Sequence, residues 1–130
     1  MNLAQKGFTL IELVVVIVIL GILSAVALPR FVDLSSQAGA AAASGVAASI
    51  SSSTSINYAA RKANNGSAIA IAGCADVNTN IATLLAGGMP ANYTVGGAGT
   101  CTDGSTSTCT VTNTNVSPAQ TASAVIVCAS

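Results

Sequence analysis

The stretch KGFTLIELVVVIVILGILSAVALP, Lys6 to Pro29, decides how the chain is read, because it holds one carboxylate, Glu12, inside an otherwise lipid-like run. Phe8 to Leu28 is 21 residues, and as a helix rising about 1.5 Å per residue it spans about 31 Å, the hydrocarbon thickness of a bilayer. In water VVVIVI would favour a strand, since β-branched side chains lose rotamer freedom in a helix. In lipid the backbone must satisfy its own hydrogen bonds, and helix wins. A secretory signal has a shorter apolar core, of about 7 to 15 residues, and a small-residue cleavage site behind it. Here SAVALP runs on into Arg30 and Asp33 in continuing helical sequence.

A plain membrane anchor leaves Glu12 unexplained. At that depth a carboxylate costs roughly 2.5 to 3.5 kcal/mol and calls for a partner, which must be a cation. Lys6 precedes the run, and Arg30 lies about 27 Å along the helix axis from Glu12. A cut just before Phe8 would create an α-amino group four residues from Glu12, largely protonated at neutral pH. On a neighbouring helix shifted along the axis, that amine can meet Glu12 in a low-dielectric bundle. Glu12 thus points to cleavage and assembly together. Gly21 and Pro29 bracket the part of the helix most easily unwound, because glycine is a weak helix former and proline lacks the amide and crowds the preceding turn.

Composition narrows the function. The 130 residues are 52% hydrophobic and 6% charged, with Phe8, Phe31, Tyr58 and Tyr93 as the aromatic residues. Lys6, Arg30, Arg61 and Lys62 balance Glu12, Asp33, Asp76 and Asp103, so no basic stripe is present to neutralise phosphates. With no histidine and widely separated carboxylates, no nucleophile and base pairing suggests itself and no cofactor is implied. Four aromatic rings are poor support for electron conduction, and Asp76 and Asp103 alone do not make an acidic calcium cluster.

From Phe31 to Arg61 the chain is rich in Ala and Ser, with Phe31, Leu34, Ala38, Ala42, Ser49, Ile56 and Ala60 on one helical face, expected to lie on a sheet. Gly39 and Gly45 each cost about 1 kcal/mol relative to Ala in an exposed helix, so packing must hold this half. Asn64-Asn65-Gly66 reads as the helix stop. A short helix is expected over Thr79 to Ala86, ended by Gly87-Gly88 and Pro90, followed by strands at Tyr93 to Val95, Thr108 to Asn113 and Ala124 to Cys128. One helix followed by strands favours an α+β arrangement with an antiparallel sheet laid on the helix.

Cys74, Cys101, Cys109 and Cys128 are spaced 27, 8 and 19 residues apart, without the close pairs of a zinc knuckle, so two disulfides in an oxidising compartment are the economical reading. Three connectivities are open. A hairpin about Ser117-Pro118 would set Cys109 nearly opposite Cys128. Asn65-Gly66-Ser67, Asn92-Tyr93-Thr94 and Asn115-Val116-Ser117 also fit the N-glycosylation pattern, which short sequences meet by chance.

Lys6-Gly7-Phe8-Thr9-Leu10-Ile11-Glu12-Leu13, continued to Pro29, resembles the class III leader and first helix of type IV pilins, over residues 6 to 34. The resemblance implies a pilin ladle fold, cleavage between Gly7 and Phe8 by a membrane prepilin peptidase, N-methylation of Phe8, and pairing of Glu12 with the amine of an adjacent subunit. It also implies melting between Gly21 and Pro29 in the assembled filament. Its habit of stapling the carboxy-terminal region favours Cys74 with Cys109 and Cys101 with Cys128. The expected parts are a leader (1–7), a transmembrane or filament-core helix half (8–28), an amphipathic half (29–62), a connecting loop with a possible short helix (63–92), and a disulfide-bonded sheet region (93–130). FVDLSSQAG, INYAARKAN and GGMPANYTVGG look like small pilins of the IVa group, and Ser130 is similar in place to the final serine that some pilins glycosylate.

The implied function is the major subunit of a type IVa pilus. It would be stored in membrane lipid at the bacterial inner membrane, then polymerised with copies of itself by an assembly platform and its cytoplasmic ATPase into a surface filament. A type II secretion pseudopilin and a minor pilin share the leader and stand as alternatives. An adhesive or DNA-binding pilin is the reading from a different class.

Overall fold

The computed structural model describes residues 7–130, and residues 1–6, most of the expected leader with Lys6, lie outside them. Helix α1 runs Leu10–Lys62, followed by α2 (Cys74–Thr79), α3 (Ile81–Leu84), β1 (Tyr93–Gly96), β2 (Thr106–Asn113) and β3 (Gln120–Val127). The chain divides into two units, at Leu34 and Ser35.

The first unit is the helix that the apolar run dictates. By length and composition it can cross a membrane, and it stays helical through Gly21 and Pro29. Pro29 has no N–H, so the Ala25 carbonyl one turn earlier loses its helical donor. Ser24 adds a hydroxyl bond of 2.7 Å to the Leu20 carbonyl.

In the second unit, residues from 35 onward of α1 pack on an antiparallel sheet of order β1-β2-β3. Val95 lies opposite Val111, Cys109 opposite Ala124 and Asn113 opposite Gln120. Alternation along the strands turns Val95, Cys109, Val111, Asn113, Ala124 and Ile126 inward, while Thr94, Thr108, Thr110, Thr121 and Ser123 face water. The core joins Val95, Cys109, Val111, Ala124 and Ile126 to Ala47 and Ile50 of α1 and to Ile71, Cys74, Val77 and Cys128. It is the expected α+β arrangement, a long amino-terminal helix and a small antiparallel sheet.

The buried face of α1 differs from the expected stripe. Gly39, Ala43, Ala47, Ile50, Thr54 and Asn57 are buried, whereas Phe31, Leu34 and Ile56 are 72%, 62% and 70% exposed, and Ala38, Ala42 and Ser49 are exposed as well. From Ala38, Ala42 and Ser49 to Gly39, Ala43 and Ile50 the helix is turned by one residue, about 100°. The reason is steric. A Cβ on Gly39 would stand 2.5 Å from a methyl of Val116, so only the small-residue face comes close enough to the sheet.

Two buried polar side chains pin the second unit. Asn57 donates to the Ile69 carbonyl at 2.8 Å and accepts the Ile69 N–H at 2.9 Å. The Thr54 hydroxyl accepts the Val127 N–H at 3.3 Å and donates to the Ser51 carbonyl at 3.1 Å. Buried polar groups persist only when matched in this way.

Helix α1 stops at Asn64, in the left-handed region at φ 55°. The N–H of Asn65 bonds the Ala60 carbonyl and that of Asn64 the Arg61 carbonyl, each at 3.0 Å, the paired bonds of a Schellman stop. Of the helix expected over Thr79 to Ala86 only Ile81–Leu84 forms, as α3, and α2 (Cys74–Thr79) precedes it where no helix was expected. Asn80, at φ −104° and ψ 16°, separates them, and both its backbone N–H and its side-chain amide bond the Asp76 carbonyl, at 2.9 and 2.8 Å. Gly87 and Gly88, both at positive φ, follow α3.

Candidate assembly site

The amino-terminal end of α1 is built by Thr9 and Glu12. The Thr9 backbone N–H and hydroxyl both donate to Oε2 of Glu12, at 2.8 and 2.6 Å, and the Glu12 N–H reaches back to the Thr9 hydroxyl oxygen at 3.4 Å. This is a capping box, T-x-x-E, in which side chain and backbone satisfy each other's orphan groups at the helix start. The carboxylate also suits the positive end of the helix dipole. Among the described residues, none donates to the second oxygen, Oε1.

Sequence reasoning placed Glu12 and passed over Thr9, although Thr9-Leu10-Ile11-Glu12 carries the capping signature in plain form. Phe8 is 84% exposed and Gly7 is exposed with open space about it, so the peptide between them is accessible. Around Glu12 the surface is apolar, made by Phe8, Ile11, Val15 and Val16. Large apolar side chains of residues 8–34 are exposed, from Val14 at 39% to Phe8 at 84%. Such a surface is stable in lipid or against other helices, not in water.

In the second unit, disulfides join Cys74 to Cys109, with Cα atoms 5.6 Å apart, and Cys101 to Cys128, 6.0 Å apart. The first ties the start of α2 to the middle strand. The second ties the 97–105 loop to the end of β3. Cys109 and Cys128 do not face each other across the hairpin, because Cys109 pairs with Ala124 and Cys128 lies past the last strand residue. With the cysteines bonded, no group of three His, Cys, Asp or Glu side chains suited to a metal occurs among the described residues.

Lys62, at the end of α1, forms an ion pair with Asp103 and sits 5.4 Å from the centre of the Tyr58 ring. Asp103 also accepts the Ser130 N–H at 3.1 Å. The hydrogen bond from Lys62, helped by that from Ser130, holds Asp103 below the usual carboxylate range, and the same bond raises Lys62. Both groups are substantially exposed, so the pair orients the 97–105 loop more than it stabilises it.

A capped, exposed apolar helix and a small disulfide-bonded sheet are the two parts to set beside known proteins. The model of the prokaryotic N-terminal methylation motif matches residues 2–28. Over 51 residues the chain is 59% identical to the type IV narrow pilus major component PilA5 of Thermus thermophilus, covering 39% of this chain and 44% of that protein. Over 38 residues it is 63% identical to the type IV major pilin protein PilE1 of Neisseria gonorrhoeae, covering 29% of this chain and 23% of that protein. A fimbrial protein of Moraxella nonliquefaciens is 50% identical over 54 residues, 42% of this chain and 35% of the relative. The chain thus spans less than half the length of each of these relatives. No solved structure matches it. These similarities, confined to the amino-terminal part of the chain, support a type IV pilin.

Proposed function

We propose that the chain is the structural major subunit of a type IVa pilus. Residues 8–28 hold it in the inner membrane until a prepilin peptidase cuts between Gly7 and Phe8 and Phe8 is N-methylated. An assembly platform and its ATPase then add it to a surface filament. The observation that carries this reading is the divided Glu12 carboxylate, with Oε2 taken by Thr9 and no described donor at Oε1 in an apolar surround. The cap survives cleavage, because Thr9 keeps Phe8 ahead of it.

Mechanistically, the new amine of one copy donates to Oε1 of another. A charge-assisted bond in a low-dielectric helix bundle is strong, and a register that leaves the acid unpaired is costly. The pair therefore sets the axial step. Apolar burial is retained as residues 8–28 exchange lipid for neighbouring helices, and the head-to-tail contact never closes. Unwinding between Gly21 and Pro29 sacrifices fewer bonds than elsewhere in α1, since Pro29 has already left the Ala25 carbonyl without its donor. Adhesion, motility or DNA uptake would then depend on the sheet and loops that the filament displays.

Electron microscopy of sheared surface fibres, with mass spectrometry of their subunit, tests the reading. A chain beginning at N-methylated Phe8 is expected. A subunit confined to the envelope would instead indicate a pseudopilin, and fibres built of chains retaining residues 1–7 would remove the amine on which assembly depends.

A further inference from the structure

The turn after α1 carries a motif that assembly does not use. Asn65-Gly66 is the single Asn-Gly pair in the chain, and both residues are exposed. The Schellman stop fixes the backbone N–H of Asn65 on the Ala60 carbonyl. The side-chain Oδ1 of Asn65 accepts the N–H of Ser67 at 3.0 Å, which folds the side-chain amide back over the Gly66 peptide. A Cβ at Gly66 would meet nothing within 4 Å. Approach to Asn65 Cγ is therefore open, and the Ser67 N–H already points at the oxygen that gains negative charge when Cγ is attacked.

We propose that Asn65-Gly66 is a self-modifying site that adds a negative charge to the subunit with age. The backbone nitrogen of Gly66 bonds to Cγ of Asn65. Its proton passes to solvent, and the side-chain amide takes up a proton and leaves as ammonia. Water then opens the five-membered imide at either carbonyl, giving aspartate or isoaspartate at position 65. Water is the only co-reactant, and no oxidation occurs. Glycine is the residue that permits this ring, having no Cβ to obstruct it and the widest backbone freedom. Elsewhere asparagine precedes Leu, Tyr, Asn, Thr, Ile or Val, each with a Cβ beside the attacking nitrogen.

The formal charge of the full chain moves from 0 to −1, and the new carboxylate opposes the negative pole at the end of α1. In a filament the same increment recurs at every subunit. That consequence rests on the assembly reading above, whereas the chemistry does not.

The full chain in detergent micelles, held at mildly alkaline and at mildly acidic pH, is followed by peptide mass spectrometry and isoelectric focusing. A gain of about one dalton at residue 65 and an acidic shift are expected, faster at alkaline pH because the attacking nitrogen must lose its proton. Gly66→Ala, which the open space and the ordinary backbone angle at Gly66 accommodate, should slow the gain on the order of tenfold. No gain at Asn65, an equal gain at Asn64, Asn92 and Asn115, or an unchanged rate in Gly66→Ala would overturn the proposal. Glu12→Gln chains that fail to assemble should age at the parental rate, which separates this outcome from that of the pilus reading.

Discussion

Asn113 of β2 reaches 3.1 Å to the backbone carbonyl of Gly39 on α1, and both residues are buried. The bond crosses 74 residues of sequence and fixes where helix meets sheet. The second amide atom of Asn113 is used as well, because Oδ1 accepts the Asn115 N–H at 2.9 Å. Asn113→Ala should therefore cost about 1 to 3 kcal/mol. Urea denaturation of the full chain in detergent, followed through the near-ultraviolet signal of Tyr58 and Tyr93, measures it; an unchanged midpoint would refute the role.

The two glycines in this half of α1 should respond in opposite directions. Gly45 is exposed with open space, so Gly45→Ala is expected to stabilise by about 1 kcal/mol through helix propensity. Gly39→Ala sets a methyl against two Val116 carbons, at 2.5 and 3.0 Å, and overpacking of about 1 to 3 kcal/mol offsets the propensity gain. Adding Val116→Ala should relieve the second variant and leave the first unaffected. The same denaturation assay decides, and equal stabilisation by both alanines would contradict the close approach at Gly39.

Cap and charge at the helix start can be separated. Glutamine also serves at the fourth position of a capping box, so Glu12→Gln should keep the helix start yet abolish sheared fibres, because the cation loses its partner. Thr9→Ala keeps the charge and forfeits about 1 kcal/mol of capping, so fibre yield should fall only in part. Counting fibres by electron microscopy at matched subunit levels compares them. Parental fibre numbers from Glu12→Gln would sink the ion-pair mechanism.

The bridges close loops of 35 and 27 residues, for which chain-entropy bookkeeping gives about 3.5 to 4 kcal/mol each. That is a large share of the stability of a small domain. Replacing Cys74 and Cys109 together by alanine should thus lower the urea midpoint more than any single substitution above. Folding of the doubly replaced chain at the parental midpoint would contradict this.

Much of this was legible in the sequence, and the two misses have separate physical causes. Residue type and length carried the membrane-length helix, and turn residues marked the three strands, whose centres at Thr94, Thr110 and Ile126 fall inside the observed elements. The buried face of α1 was misassigned because Phe31, Leu34 and Ile56 look like core residues but are exposed on the isolated chain. A pattern of hydrophobicity records every apolar surface, including those meant for lipid or for another copy. What distinguishes the sheet-facing side is smallness, at Gly39, Ala43 and Ala47, and both sides of this helix are rich in alanine. Thr9 was missed for a different reason: Glu12 was read as an isolated charge, although one local hydrogen-bonding partner stood three residues away.

The ion pair of Lys62 and Asp103 predicts the shape of the pH dependence. Asp103 is depressed in the folded chain, so its contribution is fully present above the unfolded value near about 4 and is lost as pH falls through the lower folded value. Lys62 is raised, so its contribution is fully present below about 10.4 and is lost as pH climbs through the higher folded value. With no histidine in the chain, the melting temperature should be flat between these limits. Asp103→Asn should remove the pair's share of the acidic decline and of the alkaline one together, with little change at neutral pH because both groups are exposed and screened. Melting curves of parent and variant across pH, at low and high salt, test this; a variant that loses only one of the two limbs would show that Lys62 and Asp103 do not titrate as partners.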